Sequence, residues 1–123
     1  MKAFIFINYN SWKILPLEKL IIFSIKNEPN IIFYLVDNAS TDNSDAVLLK
    51  FLKELDLPYR YYRLPYNLGF VRAVNFAFRK LDKDVKYVVL LNNDLVPVRG
   101  IIGQLVDVLE SGGFAGVQGT IMQ

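Results

Sequence analysis

The 123-residue sequence contains neither cysteine nor histidine. Disulfides, thiolate zinc sites, Cys or His nucleophiles and imidazole general bases are therefore excluded within it, and any metal must be held by oxygen ligands. Charge of one sign is also lacking. Fourteen Lys and Arg stand against 12 Asp and Glu, for a formal net charge of +2, and the basic residues are scattered, so no nucleic-acid or other polyanionic partner is expected. No apolar stretch approaches the roughly 20 residues that cross a bilayer. Ala3 to Ile7 is too short for the core of a signal peptide, and the expected location is cytoplasmic, either soluble or peripheral to a membrane. Asn38-Ala39-Ser40 fits the N-glycosylation pattern but, without a secretory signal, reads as a chance match.

Absent motifs narrow the chemistry further. The first βα turn has no G-x-G-x-x-G, and no G-x-x-x-x-G-K-[ST] occurs anywhere, which disfavours dinucleotide cofactors and P-loop chemistry. The stretch Asp37 to Ser44 lacks the central Gly and closing Glu of a calcium loop.

What is present is a core. Hydrophobic residues make up 53% and charged residues 21%, the composition of one folded globular domain. Ala3 to Asn8 is a short apolar run ending in polar residues, as in a strand buried on both faces. Leu17, Leu20, Ile21 and Ile25 recur at helical spacing behind Pro16, and Ile31 to Val36 is a second strand. Leu48, Phe51, Leu52 and Leu55 mark a second helix. Tyr59 to Leu64 reads as an edge strand whose Tyr59, Tyr61 and Tyr62 form an exposed face. Phe70, Val74, Ala77, Phe78 and Leu81 mark a third helix, and Tyr87 to Leu91 the most apolar strand. A fourth helix over 102–109 and a fifth strand over 114–118 complete the pattern. Phe4, Phe6, Phe51, Phe76, Phe78 and Tyr87 are assigned to the core. The strict alternation predicts an α/β fold, three layers with a mostly parallel sheet of about five strands, and ligands bound beyond the carboxyl ends of the strands.

Three strands finish in Asn or Asp, at Asn8-Tyr9-Asn10, Asp37-Asn38 and Asn92-Asn93-Asp94, and all three should face one crevice. Asp37, following directly on apolar strand residues, is weighed as a ligand for a base or ribose over a turn cap. Asn67-Leu68-Gly69 is a turn with Gly at positive φ. It also suits a diphosphate at the start of the following helix, with Arg72 as a cationic contact and Asn75 as a hydrogen-bonding group. Taken singly, a plain turn with Asn75 on an exposed helix face is the favoured reading, and a solvated Arg72 is an equal alternative. Asp94 is the carboxylate that could hold Mg²⁺ or Mn²⁺ while phosphate oxygens fill the other positions.

The residues Asn8-Tyr9-Asn10-Ser11, Val36 to Ser44, Asn67-Leu68-Gly69-Phe70 with Ala73 and Asn75, and Leu90-Leu91-Asn92-Asn93-Asp94 resemble, in order and spacing, the family 2 inverting glycosyltransferases of GT-A fold, especially their rhamnosyltransferase-like branch. The resemblance implies that Tyr9, Asn10 and Asp37 surround the base and ribose of a nucleotide-sugar donor. It also implies that Asn92-Asn93-Asp94 is the family's D-x-D element, with Asp94 binding a divalent metal and Asn92 contacting ribose or the metal's water shell. Val74 stands where many relatives have Arg. Residues 1–123 would then be the donor domain, with the acceptor-binding half and the catalytic base expected beyond Gln123. The acceptor is left open, a glycan or lipid-linked glycan being compatible, as are a homo-oligomer or a partner subunit. The alternative is a noncatalytic nucleotide- or partner-binding module on a degenerate GT-A fold.

Overall fold

A computed structural model describes residues 1–91 of the chain. In order come β1 (Lys2–Asn8), a 3-10 turn (Trp12–Ile14) leading into α1 (Leu15–Ile25), β2 (Ile31–Asp37), α2 (Ser44–Glu54), β3 (Tyr59–Arg63), α3 (Phe70–Arg79) and β4 (Tyr87–Leu91). The strands pair in the order β3-β2-β1-β4, every neighbour parallel. The expected fourth helix and fifth strand lie outside the described residues.

Strand side chains alternate between faces, and here both faces are apolar, as a parallel sheet covered on both sides requires. Phe4, Phe6, Phe33, Leu35, Val89 and Leu91 pack with Leu15, Ile21, Ile22 and Ile25 of α1 and with Leu48 and Leu52 of α2. Ala3, Ile5, Ile7, Ile32, Tyr34 and Val36 meet Ala73, Val74 and Ala77 of α3 on the other face. The result is the expected three-layer arrangement.

Three expectations about faces need correction. Leu20 is 50% exposed, and Ile22 takes its place inside. The sequence of α1, LPLEKLIIFSI, is apolar nearly all round, so periodicity alone does not choose a face and contact with the sheet decides. On α3, Phe70 and Phe78 are also about half exposed, and the small Ala73 and Ala77 face the sheet instead, letting the helix approach closely. Tyr59, Tyr61 and Tyr62 are half-buried, not an exposed face. Tyr59 and Tyr61 pack against the α1/α2 core, and Tyr62 meets Phe76 edge-to-face with ring centroids 5.5 Å apart.

From β1 the chain moves to β2 and β3 on one side and returns through α3 to β4 on the other. The strand order thus reverses between β1 and β4, and a crevice lies beyond their carboxyl ends, at the switch point where such sheets bind ligands.

Candidate functional site

The crevice has a volume of about 270 Å³ and is lined by Ile7, Tyr9, Asn38, Asn67, Gly69, Phe70 and Leu91. Ile7 and Leu91 come from the ends of β1 and β4, whereas Gly69 and Phe70 bring the first turn of α3 to its rim. Gly69 has φ +82°, a conformation L side chains rarely adopt. The adjacent turn is held by Asn38, which is 3% exposed. The Leu68 N–H donates to Asn38 Oδ1 at 2.9 Å, and Asn38 Nδ2 donates to the Gly69 carbonyl at 3.2 Å. The Asn38 main-chain N–H donates to the Asn8 carbonyl at 2.8 Å. Asn38 thus fixes the helix start relative to both central strands, and its amide is not presented as a glycosylation acceptor.

Beside the crevice the sheet end is closed by a polar network. Asn8, Asp37 and Arg63 stand in register across β1, β2 and β3. Asp37 Oδ1 accepts from Asn8 Nδ2 at 3.0 Å and from the Ser40 hydroxyl at 2.6 Å. Its Oδ2 accepts from the Ser40 N–H at 2.8 Å and from Arg63 Nη1 at 2.9 Å. Arg63 also donates to Asp45 at 3.0 Å and to the Ser40 carbonyl at 2.8 Å. Partial desolvation works against the Arg63 charge, but attraction by Asp37 and Asp45 outweighs it and raises its pKa. Asn8 Nδ2 reaches the Ser44 hydroxyl at 3.0 Å, the Ser11 hydroxyl donates to Asn8 Oδ1 at 2.5 Å, and Ser11 is also hydrogen bonded to buried Glu18 of α1. The surrounding loops hold Asn10, Ala39 and Asn43 at positive φ; for Ala39, with no polar side chain to offset it, this costs about 1–2 kcal/mol.

Of the residues expected at the site, Tyr9, Asn67 and Gly69 line the crevice. Asn10 lines a neighbouring cleft with Tyr9, Trp12, Lys13 and Asp42, where its Oδ1 accepts from the Thr41 N–H at 2.7 Å and ties the two loops together. Arg72 and Asn75 are solvent-exposed on α3 and do not line the crevice. Asp37, expected at the base or ribose, does not line the crevice and anchors the loops beside it. It is 0% exposed, and each of its oxygens already has two protein donors, leaving no open lone pair for a base or ribose. Asn92, Asn93 and Asp94 lie outside the described residues, although Leu91, their predecessor in the chain, lines the crevice. Among the described residues no group of three His, Cys, Asp or Glu could hold a metal ion.

The sequence reading gave no role to Glu18 or Arg63, nor to Asn38 as a clamp. Glu18 carried a signal, since it falls three residues from both Leu15 and Ile21 on the inward stripe of α1, a polar residue at a core position.

The fold has counterparts among solved structures. A mannosyltransferase from Pyrobaculum calidifontis, PcManGT, solved with GDP-Man and Mn²⁺, superposes with a TM-score of 0.74 at 25% identity, over 88% of this chain and 32% of its own. TarS of S. aureus matches with a TM-score of 0.72 at 18% identity, over 89% of this chain and 19% of TarS. Its residues 1–349 in complex with UDP-GlcNAc match at 0.74 and 18%, over 89% of this chain and 31% of that one. At 18% identity the TarS likeness speaks for the fold alone. The chain spans between about a fifth and a third of the length of these structures. No curated protein matches it by sequence. Residues 4–123 match the sequence profile described as "Glycosyl transferase family 2", and this chain, with the parallel GT-A sheet already described, is a member of that family.

Proposed function

We propose that this chain supplies the donor site of a glycosyltransferase, which transfers a sugar from a nucleoside-diphosphate donor to an acceptor hydroxyl with inversion. The observation that carries the reading is the crevice at the switch point, whose wall residue Leu91 leads directly into Asn92-Asn93-Asp94. Tyr9 is assigned to the base and ribose, and the Asn67–Gly69 turn with the start of α3 to the diphosphate. Arg72 and Asn75 flank that side. Asn10 and Asp37 hold the loops that shape the nucleoside side. Asn92 and Asn93 are assigned to ribose or to the metal's water shell.

A divalent cation fits the donor set. With no His or Cys in the chain, one carboxylate from Asp94, amide oxygens and substrate phosphates make a hard-oxygen environment suited to Mg²⁺ or Mn²⁺. Bound there, the cation would neutralise charge on the departing nucleoside diphosphate. The base that deprotonates the acceptor is not assigned to any residue of this chain. The GDP-Man and Mn²⁺ of PcManGT support the ligand class. A noncatalytic nucleotide-binding module is the rival reading.

Calorimetric titration with UDP, GDP and dTDP, with and without Mn²⁺, tests the proposal. Binding by at least one nucleotide should require the metal. Asp94→Ala should weaken it by about tenfold or more, as loss of a metal's carboxylate ligand implies, with thermal unfolding nearly unchanged. Metal-independent binding, or equal binding by the variant, refutes the site, while metal-dependent binding with no donor turnover by the full enzyme favours the noncatalytic module.

A further inference from the structure

A helix that is apolar around its whole circumference is normally buried. Helix α1 comes close to this, being apolar nearly all round, yet only one side of it meets the sheet. Opposite the buried Leu15, Ile21, Ile22 and Ile25, the side chains of Leu20 and Phe23 are 50% and 51% exposed. Trp12, one turn before the helix, is 55% exposed. On the outer side of α1 itself the unburied charges are lysines, and carboxylates stand only at its two ends. The 3-10 turn, α1 with its cap and α2 carry Lys13, Lys19, Lys26, Lys50 and Lys53. Their own acids are Glu18 and Asp45, both buried, and exposed Glu54; Asp42 shares a cleft with Trp12 and Lys13 at one end of the ridge, and Glu28 and Asp56 share one with Lys26 at the other. Lys26 Nζ lies 4.8 Å from the Phe23 ring centroid and Lys19 Nζ 5.5 Å from that of Phe51, so both stems run along apolar surface.

We infer that the outer side of α1 is a contact surface for an anionic lipid bilayer. A Trp-Leu-Phe ridge bordered by lysines, on a helix about 16 Å long, matches a helix lying in the interfacial plane, with rings at the acyl boundary and ammonium groups among the phosphates. The apolar part of the ridge is one helix wide, which gives a folded protein partner little to enclose, whereas a headgroup layer deforms around it. Helix α1 covers a face of the sheet and the crevice opens at the strand ends, so docking on this side leaves the crevice accessible. The inference does not depend on which nucleotide the crevice takes.

The single tryptophan makes the test direct. The 123-residue chain is sedimented with vesicles of phosphatidylcholine alone and of phosphatidylcholine with phosphatidylglycerol, and Trp12 emission is recorded. Partitioning should favour the anionic vesicles by about tenfold or more with a blue shift of emission, and should fall in roughly 0.5 M salt. The double variants Lys19→Glu/Lys26→Glu and Leu20→Ser/Phe23→Ser should lose it while unfolding at the wild-type temperature. Equal partitioning into both vesicles, or no sedimentation and no shift, overturns the inference. So does a dimer in sedimentation velocity that Phe23→Ser dissociates, which would assign the ridge to a second copy of the chain. Should a variant fail to fold, the wild-type comparison of the two vesicles decides alone.

Discussion

Asn38 joins two loops that no strand ladder connects. Its amide pairs with Leu68 and Gly69 while its main chain pairs with Asn8. Replacing it with Ala leaves a buried N–H and a carbonyl unmatched, an expected loss of about 1–3 kcal/mol in urea unfolding. It also frees the turn at the crevice rim, so metal-dependent nucleotide affinity should fall along with stability. Asn38→Asp keeps an acceptor for the Leu68 N–H but sets a carboxylate against the Gly69 carbonyl, and should rescue little. Unchanged stability in both variants would show that the clamp carries no weight. Asn38 and Asp37 also show where a sequence stops being legible at this scale. A carboxylate at the tip of an apolar strand favours a ligand over a turn cap, and nothing local shows that it is also an anchor between strands. What decides is Arg63, 26 positions onward, which pairs with Asp37 only because β3 lies beside β2 in that register. No local pattern announces that partner.

Between elements, the link from α3 to β4 is pinned by Tyr34. Its hydroxyl is hydrogen bonded to the Asp82 carboxylate and accepts the Asp82 N–H at 2.8 Å, while Arg60 Nη2 pairs with the same carboxylate at 2.8 Å. Burial, and then the hydrogen bond to Asp82, push the Tyr34 pKa up to about 12. The Tyr34 hydrogen bond is the main reason the Asp82 pKa is lowered; desolvation opposes it and Arg60 assists. The raised tyrosine contributes stability that is complete below its ordinary value of 10.0 and is lost as pH climbs toward 12. The depressed Asp82 contributes stability present above its ordinary value of 3.8 and lost as pH falls below it. Tyr34→Phe should therefore cost about 1–2 kcal/mol at neutral pH and shrink the alkaline loss of melting temperature. A residual step remains because burial and Asp45 also raise Tyr61 to about 12. A melting profile above pH 10 that is identical in wild type and Tyr34→Phe would contradict this. The central strands themselves were readable as short apolar runs that stop at polar residues, since Ala3 to Asn8 and Ile31 to Val36 have apolar side chains on both faces. The inward faces of α1 and α3 were not, because Leu20, Phe23, Phe70 and Phe78 satisfy helical periodicity as well as the residues that were buried.

At the scale of the molecule, β-α alternation sufficed to foresee a doubly wound sheet with polar strand ends on one side, but not that this side is divided. Beyond β2 and β3 the Asp37–Arg63 network closes it with saturated groups. Beyond β1 and β4 it is open, and there the Asn67–Gly69 turn, Tyr9 and Leu91 meet. Strand order makes the division, because among the described strands the β1/β4 boundary is the one switch point, and strand order cannot be read from the succession of elements. The two halves should respond differently to a ligand. With nucleoside diphosphate and Mn²⁺ added, hydrogen exchange should slow at the amides of residues 67–70, whose turn is held by side chains and not by a ladder. The Ser40 amide, bonded to Asp37 with or without ligand, and the amides of β3 should be unaffected. Central β1 and β2, buried on both faces, should exchange only through global unfolding in either state. Protection centred on Ser40 and Arg63 instead would place the nucleotide over the closed half, and would require the Asp37 network to open in order to bind.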